Sequence, residues 1–274
     1  MNLKNTIKSW VGYIKLLTST NFNSLKLTTI KERKDNLVII GNGPSVLNCM
    51  KYIKEKENCD YMVVNLFPVK NENFLSIKPK YWCSIDNCFF DMKGNRGNDV
   101  IELKNFLEKN VNWPFILITP WGLNQNIDNK FVVERKINTN AYKGDISPII
   151  ANYMLNNRMC IGLMNVAVAA LYAGIIMGYK RIYIYGIDMT FFKDFFVDEN
   201  NHIVVYEKHF YGTKKIDYTT LYDEVKEKGI LRVFETNSEA FRQFKRMRQF
   251  ADLVGVKIIN CTPGSYVDAF VRGK

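Results

Sequence analysis

Short apolar runs recur along this chain between helical patterns, and small or polar residues stand at their exits. The runs are Leu37 to Ile40, Tyr61 to Val64, Tyr81 to Ile85, Phe115 to Ile118, Arg181 to Tyr185 and Val256 to Ile259. At or just beyond their ends lie Gly41-Asn42, Asn65, Asp86, Thr119, Asp188 and Asn260. Strand-length runs alternating with helices predict an α/β domain built on a single, mostly parallel, Rossmann-like sheet flanked by helices. Ligands of such open sheets bind at the carboxyl ends of the strands. Any one polar exit could be a turn or a cap; their repetition is what points to a shared site. With 274 residues and 47% hydrophobic content the chain can bury one substantial core, assigned to 37–274 behind an extension of 1–36.

The first exit is the most specific. Leu37-Val38-Ile39-Ile40 stops in Gly41-Asn42-Gly43-Pro44-Ser45, which reads as strand, tight turn and helix start. Glycines let a backbone approach a ligand closely, proline suits a first helical position, and a helix N-terminus carries unpaired N–H groups and partial positive charge. The corner is therefore expected to attract phosphate. It lacks the Gly-Lys-Ser/Thr of a P-loop and the third spaced glycine of a dinucleotide fingerprint, which disfavours simple ATP hydrolysis and NAD-dependent oxidation. No Asp-x-Asp pair occurs, so no metal ligands are assigned and metal independence is expected.

A formal charge of +11 calls for an acidic partner. The six cysteines are scattered without zinc-site spacing, as in a reduced, cytoplasmic protein. At the N-terminus Leu3, Ile7, Trp10, Val11, Ile14 and Leu17 recur at helical spacing while Lys4, Lys8 and Lys15 occupy other faces. That amphipathic helix, continued by Lys26, Lys31, Arg33 and Lys34, fits either docking on the core or peripheral membrane contact through residues 1–34. No segment is long and apolar enough to span a bilayer. The alanine-rich stretch Met164 to Met177, with Gly174, predicts a helix packed closely on the sheet, and Phe241, Phe244, Met247, Ala251 and Val254 form the apolar face of another.

Between 189 and 220 the pattern breaks into Phe191-Phe192-Lys193-Asp194-Phe195-Phe196, the acidic turn Asp198 to Asn201, and Tyr206 to Gly212. It reads as an aromatic lid-like insertion, with a hairpin about the acidic turn. Both histidines, His202 and His209, lie in it. An imidazole is the side chain best suited to general-base work near neutral pH, and the aromatic neighbours Tyr206, Phe210 and Tyr211 make His209 the candidate catalytic residue.

Four islands together resemble a known family: Gly41 to Ser45; Asn165 to Ala173 leading into Gly178-Tyr179-Lys180-Arg181-Ile182-Tyr183-Ile184-Tyr185-Gly186-Ile187-Asp188; Lys208-His209-Phe210-Tyr211; and Cys261-Thr262-Pro263. They are similar to the bacterial sialyltransferases of glycosyltransferase family 42, a GT-A-like variant, and to the related 6-hydroxymethylpterin diphosphokinase-like proteins of surface-polysaccharide gene clusters. The resemblance implies a nucleotide-sugar site. Gly41, Asn42, Gly43, Pro44 and Ser45 would meet the phosphate and ribose of a CMP-sugar, and Asn65, Asp86 and Asn165 would border donor or sugar. Gly186 and Asp188 would close the base side, with Thr262 and Pro263 toward the cytidine. His209 matches the family's base. Two departures stand out: Met189-Thr190-Phe191 where those enzymes carry a tyrosine toward the leaving phosphate, and Asn165-Val166-Ala167 in place of Thr-Ser-Gly.

The function implied by this resemblance is glycosyl transfer in surface polysaccharide (lipopolysaccharide-type) biosynthesis. A nonulosonic, sialic-acid-like residue would move from CMP with inversion to a glycan or lipid-linked acceptor, with no tightly bound cofactor, at the inner face of a bacterial membrane. A basic active face would balance the phosphate and the acidic sugar. The competing expectations are pyrophosphate transfer from ATP to a pterin-like alcohol, and a basic module that binds nucleic acid or membrane. Nucleic acid is not expected as a partner, because the charge alone leaves the polar exits and His209 without a common role.

Overall fold

Alternation within the first apolar run decides where it sits. In strand β1 (Asn36–Ile40), Leu37 and Ile39 bury into one core cluster and Val38 and Ile40 into another. A strand covered on both faces belongs at the centre of a parallel sheet. The computed structural model describes residues 32–94 and 96–273. It continues with β2 (Cys59–Val64), β3 (Tyr81–Cys83), β4 (Phe115–Pro120), β5 (Val132–Ile137) and β6 (Arg181–Tyr185). A smaller group comes next, β7 (Phe195–Val197), β8 (Ile203–His209) and β9 (Gly212–Asp217), before β10 (Lys257–Asn260) and β11 (Val271–Arg272). The main helices are α1 (Val46–Lys54), α2 (Gly97–Asn110), α3 (Pro148–Leu155), α4 (Val166–Ile176) and α5 (Ile230–Leu253).

Eight strands form one sheet in the order β11-β10-β6-β1-β2-β3-β4-β5, with every pairing parallel. From β1 the chain winds outward through β2 to β5, then returns to the other side of β1 through β6. The crevice between the carboxyl ends of β1 and β6 is thus a topological switch point, where open α/β sheets bind ligands. α4 is buried from Ala167 to Ile176, and Gly174 lets it settle: a Cβ there would meet Leu37 and Ile182 side chains at 2.8 and 2.9 Å. The expected close-packed helix is present.

Two elements escape the apolar-run pattern. β5, Val132-Val133-Glu134-Arg135-Lys136-Ile137, is an edge strand whose charges face water or one another, Lys136 Nζ lying 2.9 Å from Glu134 Oε1. β11 has only Val271 and Arg272, too short to carry a period. β3 ends at Cys83, two residues before the expected limit, which leaves Ile85 and Asp86 in the loop.

The insertion folds as an antiparallel sheet, β7-β8-β9. The acidic turn joins β7 to β8: Asp198 Oδ1 accepts from the N–H groups of Asn200 (3.0 Å) and His202 (2.8 Å), and Asn201 takes φ 60°. Its inner face packs Ile203 and Phe195 against Val225, Val233 and Tyr218, a small core of its own. The N-terminal amphipathic pattern lies outside the described residues. Within them, Arg33 is held by the protein, donating to the Met177 carbonyl at 2.6 Å and lying 5.6 Å over the Tyr179 ring. No helix among the described residues is long and apolar enough to cross a membrane.

Candidate active site

The corner after β1 does not stand open. Gly41 N–H donates to the Tyr185 carbonyl at 2.8 Å and Gly43 N–H to the Gly186 carbonyl at 2.9 Å. Ser45 gives both its N–H (3.3 Å) and its hydroxyl (2.8 Å) to the Asp188 carboxylate. An anion therefore already occupies the start of α1, and it is the chain's own. A Cβ on Gly41 would stand 2.3 Å from the Gly186 oxygen, and one on Gly43 would stand 1.9 Å from Asp188 Oδ2. The glycines bring the β1 and β6 exits together, where the sequence suggested close approach of a phosphate. Pro44 precedes the helix, which starts at Val46, instead of opening it.

Around this junction lies a cleft of ≈ 520 Å³. Of the expected site residues, Gly41, Asn42, Gly43, Pro44, Asn65, Asp86, Asn165, Gly186, Asp188 and His209 all line it. Three do not. Ser45 is spent on Asp188, while Thr262 and Pro263 border a separate cleft of ≈ 410 Å³ with Cys49, Tyr52 and Tyr185. Thr262 bears on the first cleft only indirectly, its Oγ1 accepting from Ile187 N–H at 3.2 Å.

Two buried side-chain oxygens of residues lining the first cleft, Asn42 Oδ1 and Asn65 Oδ1, have no hydrogen-bond partner among the described residues. The Asn42 amide is oriented by its own donor, Nδ2 giving to the Val64 carbonyl at 3.2 Å, which leaves the oxygen unmatched. Asn65 sits at φ 46° and Met189 at φ 53°, a left-handed conformation that asparagine adopts more readily than most side chains and methionine seldom does. Buried acceptors without partners cost roughly 1–3 kcal/mol each.

Asn165 has a structural duty as well. Its Oδ1 caps α4, accepting from Ala167 N–H at 2.7 Å, and the start of that helix, Val166 and Ala167, opens on the cleft. The same cleft is also lined by groups that no sequence motif marks, Phe89, Arg96, Glu207, Tyr218 and Tyr222, beside Tyr211 of the Lys208-His209-Phe210-Tyr211 island. Glu207 was legible in principle, because residues two apart on a strand share a face and it stands two before His209. Arg96 precedes α2 and nothing in its local sequence marks it.

His209 ends β8, and the following Phe210 N–H donates to the Asn42 carbonyl at 3.1 Å, tying the insertion to the corner. Its ring stacks on Tyr211 with centroids 4.9 Å apart. Burial holds the imidazole below its ordinary pKa of 6.5, with Glu207 opposing and Arg96 reinforcing the shift. Asp86 is raised by burial, against the Asn65 amide and Arg96, and Asp188 is raised by burial despite Ser45. His202 lies off the cleft, its Nδ1 2.7 Å from Asp217 Oδ2.

The expectation of a basic active face is not met. Among the described residues the lining carries Asp86, Asp188 and Glu207 against Arg96 and Lys208, and Lys208 is paired with Asp194 at 2.5 Å. The positive charge lies elsewhere. No group of three metal-ligating side chains occurs among the described residues. All six cysteines are free, five of them buried and Cys88 exposed.

No protein-family model matches the sequence, and no curated protein does so significantly. Solved structures do. A MAf glycosyltransferase from Magnetospirillum magneticum AMB-1 superposes over 90% of this chain with a TM-score of 0.50 at 12% identity. This is a fold shared with glycosyltransferases. The chain spans about a third of that larger protein, 34% of its length. The sialyltransferase CstII of Campylobacter jejuni, solved with the substrate analogue CMP-3FNeuAc, is similar over 87% of this chain and 85% of its own, at 15% identity and a TM-score of 0.43. CST-II with a trisaccharide acceptor and CMP gives 15% identity over 86% of this chain and 85% of its own, with a TM-score of 0.46.

Proposed function

We propose that the cleft transfers a sugar from a nucleotide-sugar donor to a glycan or lipid-linked acceptor, with His209 as general base and inversion at the anomeric carbon. The observation that carries this reading is the placement of His209. The Phe210–Asn42 hydrogen bond holds it over the switch point, in the one cleft that also contains the unpartnered Asn42 and Asn65 oxygens. Those acceptors suit the hydroxyls and amino groups of a nucleoside or sugar. With the start of α1 taken by Asp188, the donor phosphate is assigned to the start of α4, where the helix dipole favours negative charge. The acceptor oxygen would attack as its proton passes to the His209 ring, and the bond from the anomeric carbon to the phosphate oxygen would break, releasing the nucleotide.

A CMP-linked nonulosonic acid is the donor proposed first, and a panel tests it. Purified protein is incubated with CMP-sugars, with other nucleotide sugars, and with ATP, magnesium and a pterin alcohol, following thermal stabilisation and nucleotide release. We expect a CMP-sugar to raise the melting temperature and to be consumed when acceptor is present. A response confined to ATP with magnesium would replace sugar transfer by pyrophosphate transfer.

Peripheral membrane contact through the N-terminal extension is likewise proposed, on its amphipathic pattern. Removing residues 1–31 preserves the Arg33 anchor and should abolish co-sedimentation with anionic liposomes while sparing turnover of a soluble acceptor. Unchanged co-sedimentation would sink the membrane role.

A further inference from the structure

On β8 the side chains of Glu207 and His209 share the face turned to the cleft, and Glu207 Oε2 lies 3.9 Å from His209 Nε2. The carboxylate is held on both sides. Oε1 accepts from the Tyr218 hydroxyl at 3.2 Å, and Oε2 faces Arg96 Nη2 at 3.6 Å. Arg96 is braced in turn, its guanidinium 5.4 Å over the Phe89 ring and 3.9 Å from Asp99 Oδ2. Three elements distant in sequence thus converge on one carboxyl group beside the imidazole: the start of α2, strand β8 and the short helix Tyr218–Leu221.

We infer that Glu207 is a positioning residue for His209, keeping the ring turned to the cleft and stabilising the imidazolium formed as the acceptor hydroxyl loses its proton. The inference rests on the reading of His209 as base. Its physical logic is charge creation: a neutral imidazole becomes a cation at the moment of transfer, and a preorganised anion a few ångströms away favours that product without itself taking the proton. Among the described residues the groups facing the ring are few. They are Glu207 on its own strand, Arg96 from the start of α2, the Asn42 carbonyl from the corner and the Tyr211 ring from the β8–β9 turn. Lys208, between Glu207 and His209 on β8, is paired with Asp194. Of these, Glu207 supplies the negative charge that favours protonation, and Arg96 both opposes it and anchors it.

Loss of a charge 3.9 Å from the ring moves its titration even if the ion pair merely stabilises the insertion, so the response of turnover separates the two roles. The chain has two histidines, so their ring protons can be assigned by single substitution and titrated by NMR. In Glu207→Gln, which keeps an acceptor for Tyr218, His209 should titrate at lower pH than in the parent protein. The acid limb of kcat/KM should move the same way, and turnover should fall roughly tenfold, a part of what a general base supplies, at unchanged donor affinity. Glu207→Asp should recover most of both. The His202 signals, off the cleft beside Asp217, report that the fold is intact. If His209 titrates unchanged in Glu207→Gln, the positioning role is lost and the base assignment survives. If its titration moves while turnover is unchanged, the positioning role is lost; if the acid limb of kcat/KM also stays in place, His209 is not the base, and both are lost.

Discussion

Replacing His209 with alanine should lower turnover by about 10²–10⁴-fold, the usual worth of a general base, while the affinity for the nucleotide-sugar donor stays within a small factor of the parent. The split arises from placement. His209 sits at the end of β8 in the lining of the cleft, and on the proposed reading it takes the acceptor's proton and leaves the donor to other groups. The pH dependence is a second mark of the same role. A base works in its neutral form, which predominates above its pKa, and burial lowers that pKa from 6.5. On the proposed reading the parent protein should thus hold its full rate through neutral pH and lose it only in a more acidic range, whereas the alanine variant's residual rate should lack that step. Single-turnover nucleotide release across pH, beside donor titration by calorimetry, measures both. An alanine variant with parental turnover would remove His209 from the chemistry.

Substituting Gly41 by alanine should destabilise the folded state by about 3 kcal/mol, the upper range for inserting a methyl group into a packed site. The obstruction is backbone, since the new Cβ would stand 2.3 Å from the Gly186 oxygen and 2.9 Å from its carbon, atoms that cannot swing aside. Relief would require parting the β1 and β6 exits, and with them the Gly43–Gly186 hydrogen bond and the Ser45–Asp188 contacts. Urea unfolding should show a lower midpoint at unchanged slope. Had the glycine served ligand approach, the same change would spare stability and weaken donor binding alone. That outcome would return the corner to its phosphate-binding interpretation.

Much of the architecture was legible because burial imposes local signatures. Strands covered on both faces must be apolar throughout, so β1, β2, β4 and β6 announce themselves, and α4 declares its depth by having no polar face. β5 escaped for the converse reason: an edge strand protects itself with charge and reads as a loop. The site divides along the same line. Gly41 to Pro44, Asn65, Asp86, Gly186 and Asp188 were reachable because strand exits recur in the sequence and the topology gathers them at one end of the sheet.

What each residue does there was decided by the tertiary structure. Ser45 and Asp188 are separated by well over a hundred residues, and only their meeting shows that the helix start is already neutralised and that the glycines serve packing. The same holds for the wall of Arg96, Glu207 and Tyr218, assembled from segments with no mutual spacing to read. It holds for charge too, since a net +11 summed over the chain does not forecast a cleft lined, among the described residues, by three carboxylates and two cations. The sequence by itself determined the sheet, its candidate ligand-binding end and the candidate base, because periodicity and strand exits are local properties of the chain. The partners of those groups, and hence the electrostatics of the site, are set by contacts between distant segments, which exist only once the chain has folded.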